Sequence, residues 1–212
     1  MGNALPAIQL DEGFERRLQI PALPGVVNEI IVKVRSGATS PQEVAAIIDR
    51  DAVFSAHILK IVNSAYYGLP MPVSNVRFAI AYLGLNEVSR IATALAVMNV
   101  LETEQRSLVQ SFWVRSYHTA LVSRRLSKQL TFTAEDAENL YVAALLHDIG
   151  KLVYAIALPD HFRVITERCR AEGSRAVEAE RALGLPEDWE LGVRVAKFWQ
   201  LPPAVIQACA HH

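Results

Sequence analysis

Apolar residues recurring at helical spacing constrain this chain more than any other feature. Phe54, Ile58, Ile61, Val62, Ala65 and Tyr66 fall at i, i+4, i+7, i+8, i+11 and i+12, which places a single stripe on one helix face. The same step recurs in Val27, Ile30, Ile31 and Val34, ended by Gly37, and again in Leu191, Val195, Phe198 and Trp199. No segment alternates with the period of a strand. The expected fold class is therefore all-α, a multi-helix bundle of two packed lobes.

Turn and cap chemistry sets the divisions. Ser40-Pro41-Gln42-Glu43 offers a capping serine, a proline at the first helical position and a glutamate that completes a capping box. Gly68-Leu69-Pro70-Met71-Pro72 must be a loop. Short helices are expected around Asn75–Leu83 and Asn86–Leu101, separated by Gly84, with Asn86 as the cap of the second. The polar stretch Glu102 to Arg106 is the expected boundary, dividing the chain into lobes 1–104 and 105–212 of one domain. Beyond it the pattern predicts a long helix from Ser107 to Leu130. A helix capped by Thr133-Ala134-Glu135-Asp136 then runs to about His147. Four further segments follow: Leu152–Leu158, Pro159–Glu172, the stretch after Ser174, and Asp188–Gln200.

Composition bounds the function classes. Half of the chain, 51%, is hydrophobic and 20% is charged, with a mean hydropathy of +0.19, so a sizeable core is available. The longest apolar runs, Leu152–Leu158 and Ile91–Leu101, fall short of the ~20 residues that cross a bilayer. No membrane contact is expected. Nothing reads as a signal peptide, and Cys169 and Cys209 lack a CxxC or zinc-type spacing, so they read as buried or free thiols of a reducing, cytoplasmic compartment. A net charge of −1 argues against a nucleic-acid partner, which would call for a basic face. The cluster Arg124, Arg125 and Lys128 reads as a solvated helix face.

Leu145-Leu146-His147-Asp148-Ile149-Gly150-Lys151 is the one constellation that could carry chemistry. Imidazole nitrogen beside carboxylate oxygen suits a divalent ion such as Mn, Fe or Zn, and Gly150 would let the chain turn so that both aim at one point. His118 lies between Val114 and Val122 at i−4 and i+4 and is expected on the core side of its helix, as a third donor or as a packed core histidine. Lys151 is a candidate phosphate contact, with an exposed lysine as the simpler reading. Tyr66, Tyr67, Leu69 and Met71, around the Gly68 loop, form a candidate partner-binding edge, set against plain packing between lobes. His57 and His161 are expected at the surface. No GxSxG, GxGxxG or Walker loop is present.

His118 together with His147-Asp148-Ile149-Gly150-Lys151 resembles the HD superfamily of metal-dependent phosphohydrolases. The upstream motifs narrow this to the HDOD family. They are Leu23-Pro24, Ile48-Asp49-Arg50-Asp51, Leu59 to Asn63-Ser64-Ala65-Tyr66-Tyr67-Gly68, Ala79-Ile80 to Leu83-Gly84, and Trp199-Gln200-Leu201-Pro202. The resemblance runs from about Leu18 to the C-terminus. It implies an HD-like C-terminal lobe and a signalling or output module, mostly without demonstrated catalysis; the expected partner is a protein of a signalling pathway. No oligomeric state is assigned. In the catalytic relatives a histidine, the His-Asp pair and a later aspartate hold a metal that activates water against a phosphate ester. Carried over, His118, His147 and Asp148 would be the ligands.

This sequence departs from that pattern. After Glu190 it has no Asp or Glu, and Trp189 stands about where the family often has a histidine. Asp160, Asp188 and Glu190 are the only nearby acids, none at the expected place. His211-His212 reads as a late histidine pair for a second metal, as a truncation point, or as the start of a tag. The expectation is a degenerate metal site, no cofactor and a non-catalytic regulatory domain. The alternatives are a metal-dependent phosphohydrolase or cyclic-dinucleotide phosphodiesterase and, last, a nucleic-acid-binding domain.

Overall fold

A computed structural model describes residues 6–37, 39–64, 67–101, 106–127, 129–130 and 132–211, and every regular element among them is helical. The chain forms two compact units. One is Ala22–Val100, and the other joins the segment ending at Pro21 to Leu101–His212.

The leading segment carries a single turn, α1 (Phe14–Arg17). The first unit then holds α2 (Gly25–Arg35), α3 (Pro41–Ile48), α4 (Ala52–Val62), α5 (Val76–Leu83) and α6 (Leu85–Val100). Side chains start three of these helices. Ser40 Oγ accepts from Glu43 N at 3.2 Å while Glu43 Oε2 accepts from Ser40 N at 2.8 Å, which is the expected capping box. Asp51 Oδ1 accepts from Val53 N and Phe54 N at the head of α4, and Asn75 Oδ1 from Phe78 N at the head of α5. Phe54, Ile58 and Val62 are buried and Ile61 is half-buried, whereas Ala65 and Tyr66, the end of the expected stripe, lie outside the described residues. α6 is the centre of this unit: Val88, Ile91, Ala92, Leu95, Ala96 and Val97 are all buried, and α2, α4 and α5 pack on it. Gly84, at φ +87°, separates α5 from α6 as expected. Asn86 is not a cap, because α6 begins one residue before it.

The second unit holds α7 (Arg106–Ser127), α8 (Ala134–Leu146), α9 (Ile149–Ala157), α10 (Pro159–Glu172), α11 (Ala176–Ala182), α12 (Asp188–Phe198) and α13 (Pro203–Ala210). Thr133 caps α8 through Asp136 N at 3.1 Å. α7 packs along α8, α12 packs on α9 and α13, and α13 packs on α8. The stretch Asn139–Ala157 is long and apolar enough by length and composition to cross a membrane, contrary to the sequence expectation. Its apolarity is that of a core, since 67% of it is buried inside the protein.

The leading segment belongs to this second unit, which corrects the expected division at 1–104. Arg194 on α12 holds it: Nη1 donates to Leu10 O at 2.9 Å, Nη2 donates to Asp11 O, Nε pairs with Glu15 at 2.7 Å, and the guanidinium lies over the Phe14 ring. His161 is buried rather than exposed, and its Nε2 donates to Pro6 O at 2.9 Å. Trp199 is buried, donating from Nε1 to Pro21 O at 2.8 Å.

Candidate functional site

His147 and Asp148 occupy the break between α8 and α9, the first as the C-terminal cap of α8 and the second as the residue before α9. His147 Nδ1 donates to Ala144 O at 2.6 Å, which puts the ring proton on Nδ1 and leaves Nε2 as the atom with acceptor character. Asp148 is buried, and its Oδ1 lies 2.5 Å from Lys151 Nζ, one helical turn further on.

Lys151 does not stand exposed. Its side chain is 32% accessible, and Nζ also lies 3.4 Å from Oδ2 of Asp188, the buried first residue of α12. Burial opposes the charge on Lys151, but the hydrogen bond and attraction of Asp148, with Asp188 behind it, prevail and raise its pKa above the ordinary lysine value. One ammonium thus joins two carboxylates from different helices.

Behind Asp188 stands Glu180 of α11, 1% exposed, whose Oε2 accepts from Asp188 N at 3.0 Å. Burial, and then the neighbouring Asp188 charge, push its pKa up to about 7. Tyr154 on α9 is also buried, donates to Pro186 O, and has its pKa raised by burial and by the charge of Glu180. Cys209 on α13 reaches Leu146 O at 3.5 Å, and burial with the nearby Asp148 charge pushes its thiol up to about 12. A thiol at that value is not a nucleophile at neutral pH.

Gly150 serves a purpose other than the expected turn. It lies inside α9, and a Cβ there would meet the Asp188 oxygen at 1.8 Å, so its role is to let α12 approach.

His118 does not share this site's environment. It is exposed on α7, as are Val114 and Val122 on either side, so the expectation that it faces the core is corrected. Among the described side chains of α7, Phe112, Ser116, Ala120 and Ser127 are the buried ones. Small residues there allow α7 to pack closely along α8, and the valine pair points outward. Among the described residues, no three His, Cys, Asp or Glu side chains are grouped as metal donors. A divalent ion on Asp148 would stand beside an ammonium, so the residues as arranged do not fit the metal that the HD pattern implies. Trp189 is exposed and donates to Glu187 at 2.9 Å, and His211 is exposed, while His212 lies outside the described residues.

At the candidate recognition edge, Tyr67 and Leu69 are half-buried, and Tyr67 OH donates to buried Glu87 at 2.7 Å. Tyr66 lies outside the described residues. Met71 is the residue of this set that the structure exposes, at 74%. Asn63 fixes the loop base, its amide pairing with both Val73 O and Val73 N at 2.9 and 2.8 Å.

Sequence reasoning missed Asp188 as the partner of Lys151. The available signal was indirect: Gly150 and Gly192 mark a close helix crossing, and Asp188 sits four residues before the second of them.

A helical body with a His-Asp pair at a helix junction defines an HD-type domain. The HDOD domain model matches residues 20–212, and the chain belongs to the HDOD family. An HDOD domain protein of unknown function from Geobacter sulfurreducens shares the fold with a TM-score of 0.76 at 24% identity, over 93% of this chain and 70% of that one. A Shewanella amazonensis protein, provisionally named a metal-dependent phosphohydrolase, gives 0.65 at 26% identity, over 93% of this chain and 72% of that one. A Marinobacter aquaeolei protein, provisionally named in signal transduction, gives 0.75 at 20%, over 96% of this chain and 46% of that one. The chain spans 37% of the length of a curated relative that it matches, an uncharacterized Treponema pallidum protein 25% identical over 193 residues.

Proposed function

We propose that this chain is a non-catalytic regulatory output domain that acts through protein–protein contacts in a signalling pathway of the cytoplasm. The observation that carries this reading is the engagement of Asp148 and Asp188 by the ammonium of Lys151, with His118 exposed on α7 and not grouped with other metal donors among the described residues. The His-Asp pair then serves as a packed joint between α8, α9 and α12. The signalling name of the Marinobacter neighbour is consistent with such a role. Met71, held out on the loop that Asn63 closes, is the contact point we assign to a partner.

The test has two arms. Purified protein supplied with Mn, Fe or Zn should hydrolyse phosphomonoesters, phosphodiesters and cyclic dinucleotides no faster than its Asp148→Asn variant. A protein captured from the source cell should be lost when Met71→Asp is the bait. Turnover that disappears in His147→Ala, together with one metal per chain, would overturn the proposal. The second reading, a metal-dependent phosphohydrolase or cyclic-dinucleotide phosphodiesterase, draws on the acceptor character of His147 Nε2 and on the name of the Shewanella neighbour.

A further inference from the structure

We infer that Lys151 is the resident cation of this HD-type junction: its ammonium satisfies Asp148 and Asp188, couples α9 to α12, and keeps divalent metal out. The inference rests on the non-catalytic reading above and deepens it.

Three observations combine. Lys151 Nζ is 2.5 Å from Asp148 Oδ1 and 3.4 Å from Asp188 Oδ2, so it contacts both buried acids of the junction. A lysine carries its charge on a flexible four-carbon stem, and here that stem starts on the first turn of α9, within reach of both acids without any movement of the backbone. Gly150, one residue earlier, brings the α12 backbone against α9, which sets Asp188 within range of the same ammonium. The pair to Asp148 is local, whereas the pair to Asp188 crosses between helices. One side chain thereby sets a positive charge against both acids, which lowers the cost of burying them on folding.

An ion entering between those acids must displace the ammonium or sit beside it. Both courses are unfavourable, the first because a tethered charge has no loss of free concentration to recover, the second by like-charge repulsion in a partly buried place. Removing the amine while keeping the stem takes from the two carboxylates, one at the head of α9 and one on α12, the positive charge that contacts both. That arrangement attracts a hard or borderline divalent ion.

The test compares Mn2+ binding by the whole chain and by Lys151→Met, using equilibrium dialysis and melting temperature with and without the ion. The expected result is a lower melting temperature for K151M, Mn2+ affinity raised ~10-fold or more over wild type, and partial recovery of melting temperature with Mn2+. The gain should be lost in K151M combined with Asp188→Asn. Lys151→Gln, which keeps a hydrogen-bonding head without the charge, answers the same comparison if K151M does not fold. Equal Mn2+ affinity in wild type and variant, whether both bind or neither does, overturns the inference. That outcome is distinct from phosphoester turnover by the wild type, which would overturn the functional proposal instead.

Discussion

A Cβ placed on Gly150 would stand 1.8 Å from the main-chain oxygen of Asp188. α9 and α12 therefore cross backbone to backbone, with Gly192 opposite, where a Cβ would meet Gly150 N at 3.3 Å and the Cys209 Cβ at 3.4 Å. Alanine is favoured over glycine within a helix by about 1 kcal/mol. At Gly150 that gain is outweighed, because the obstructing atom is backbone and cannot rotate away. Gly150→Ala should lose about 3 kcal/mol or more in urea unfolding, and Gly192→Ala about 1 kcal/mol. An alanine at position 150 as stable as glycine would refute the close crossing.

Glu180 makes stability depend on pH. Its folded value of about 7 lies above the ordinary 4.5, so the folded state binds the proton more tightly than the unfolded state does. The resulting stabilisation is fully present below the ordinary carboxylate value and is lost as pH rises to about 7. Glu180→Gln keeps an acceptor for Asp188 N without the buried charge. It should match wild type near pH 4 and exceed it at pH 8 by on the order of 3 kcal/mol. Melting curves at the two pH values check this; an equal loss at both would mean that the geometry of the acceptor outweighs its charge.

Asn63 presents both a donor and an acceptor to Val73. Asn63→Ala should cost about 1–2 kcal/mol and speed protease cleavage within the Gly68–Pro72 segment. Asn63→Asp, which retains only the acceptor for Val73 N, should fall between alanine and wild type. Cleavage at an unchanged rate in both variants would show that the prolines alone hold the loop.

Local signals in the sequence were legible where neighbours in the chain supply the partner. The Ser40–Glu43 capping box, the Thr133 cap, the Gly84 break and the buried Phe54, Ile58 and Val62 stripe all depend on contacts within about one or two turns, and each is present. The short helices α1 and α13 went unread because four and eight residues are too few to show a helical period. His118 was misread for a different reason. Two valines at i±4 suggest an inward face, but α7, which packs along α8, buries Ser116, Ala120 and Ser127 and leaves the valines exposed.

What the sequence by itself determined was the helical class, the positions of most breaks, and the presence of a His-Asp pair at one of them, since periodicity and capping are properties of neighbouring residues. Only the tertiary structure decided that Lys151 spans Asp148 and Asp188, that Glu180 is buried behind them, and that the segment before Ala22 is held by Arg194 and His161. Those outcomes depend on which helices cross and how closely. The crossing distance is set by packing between residues far apart in the chain, such as Gly150 and Gly192.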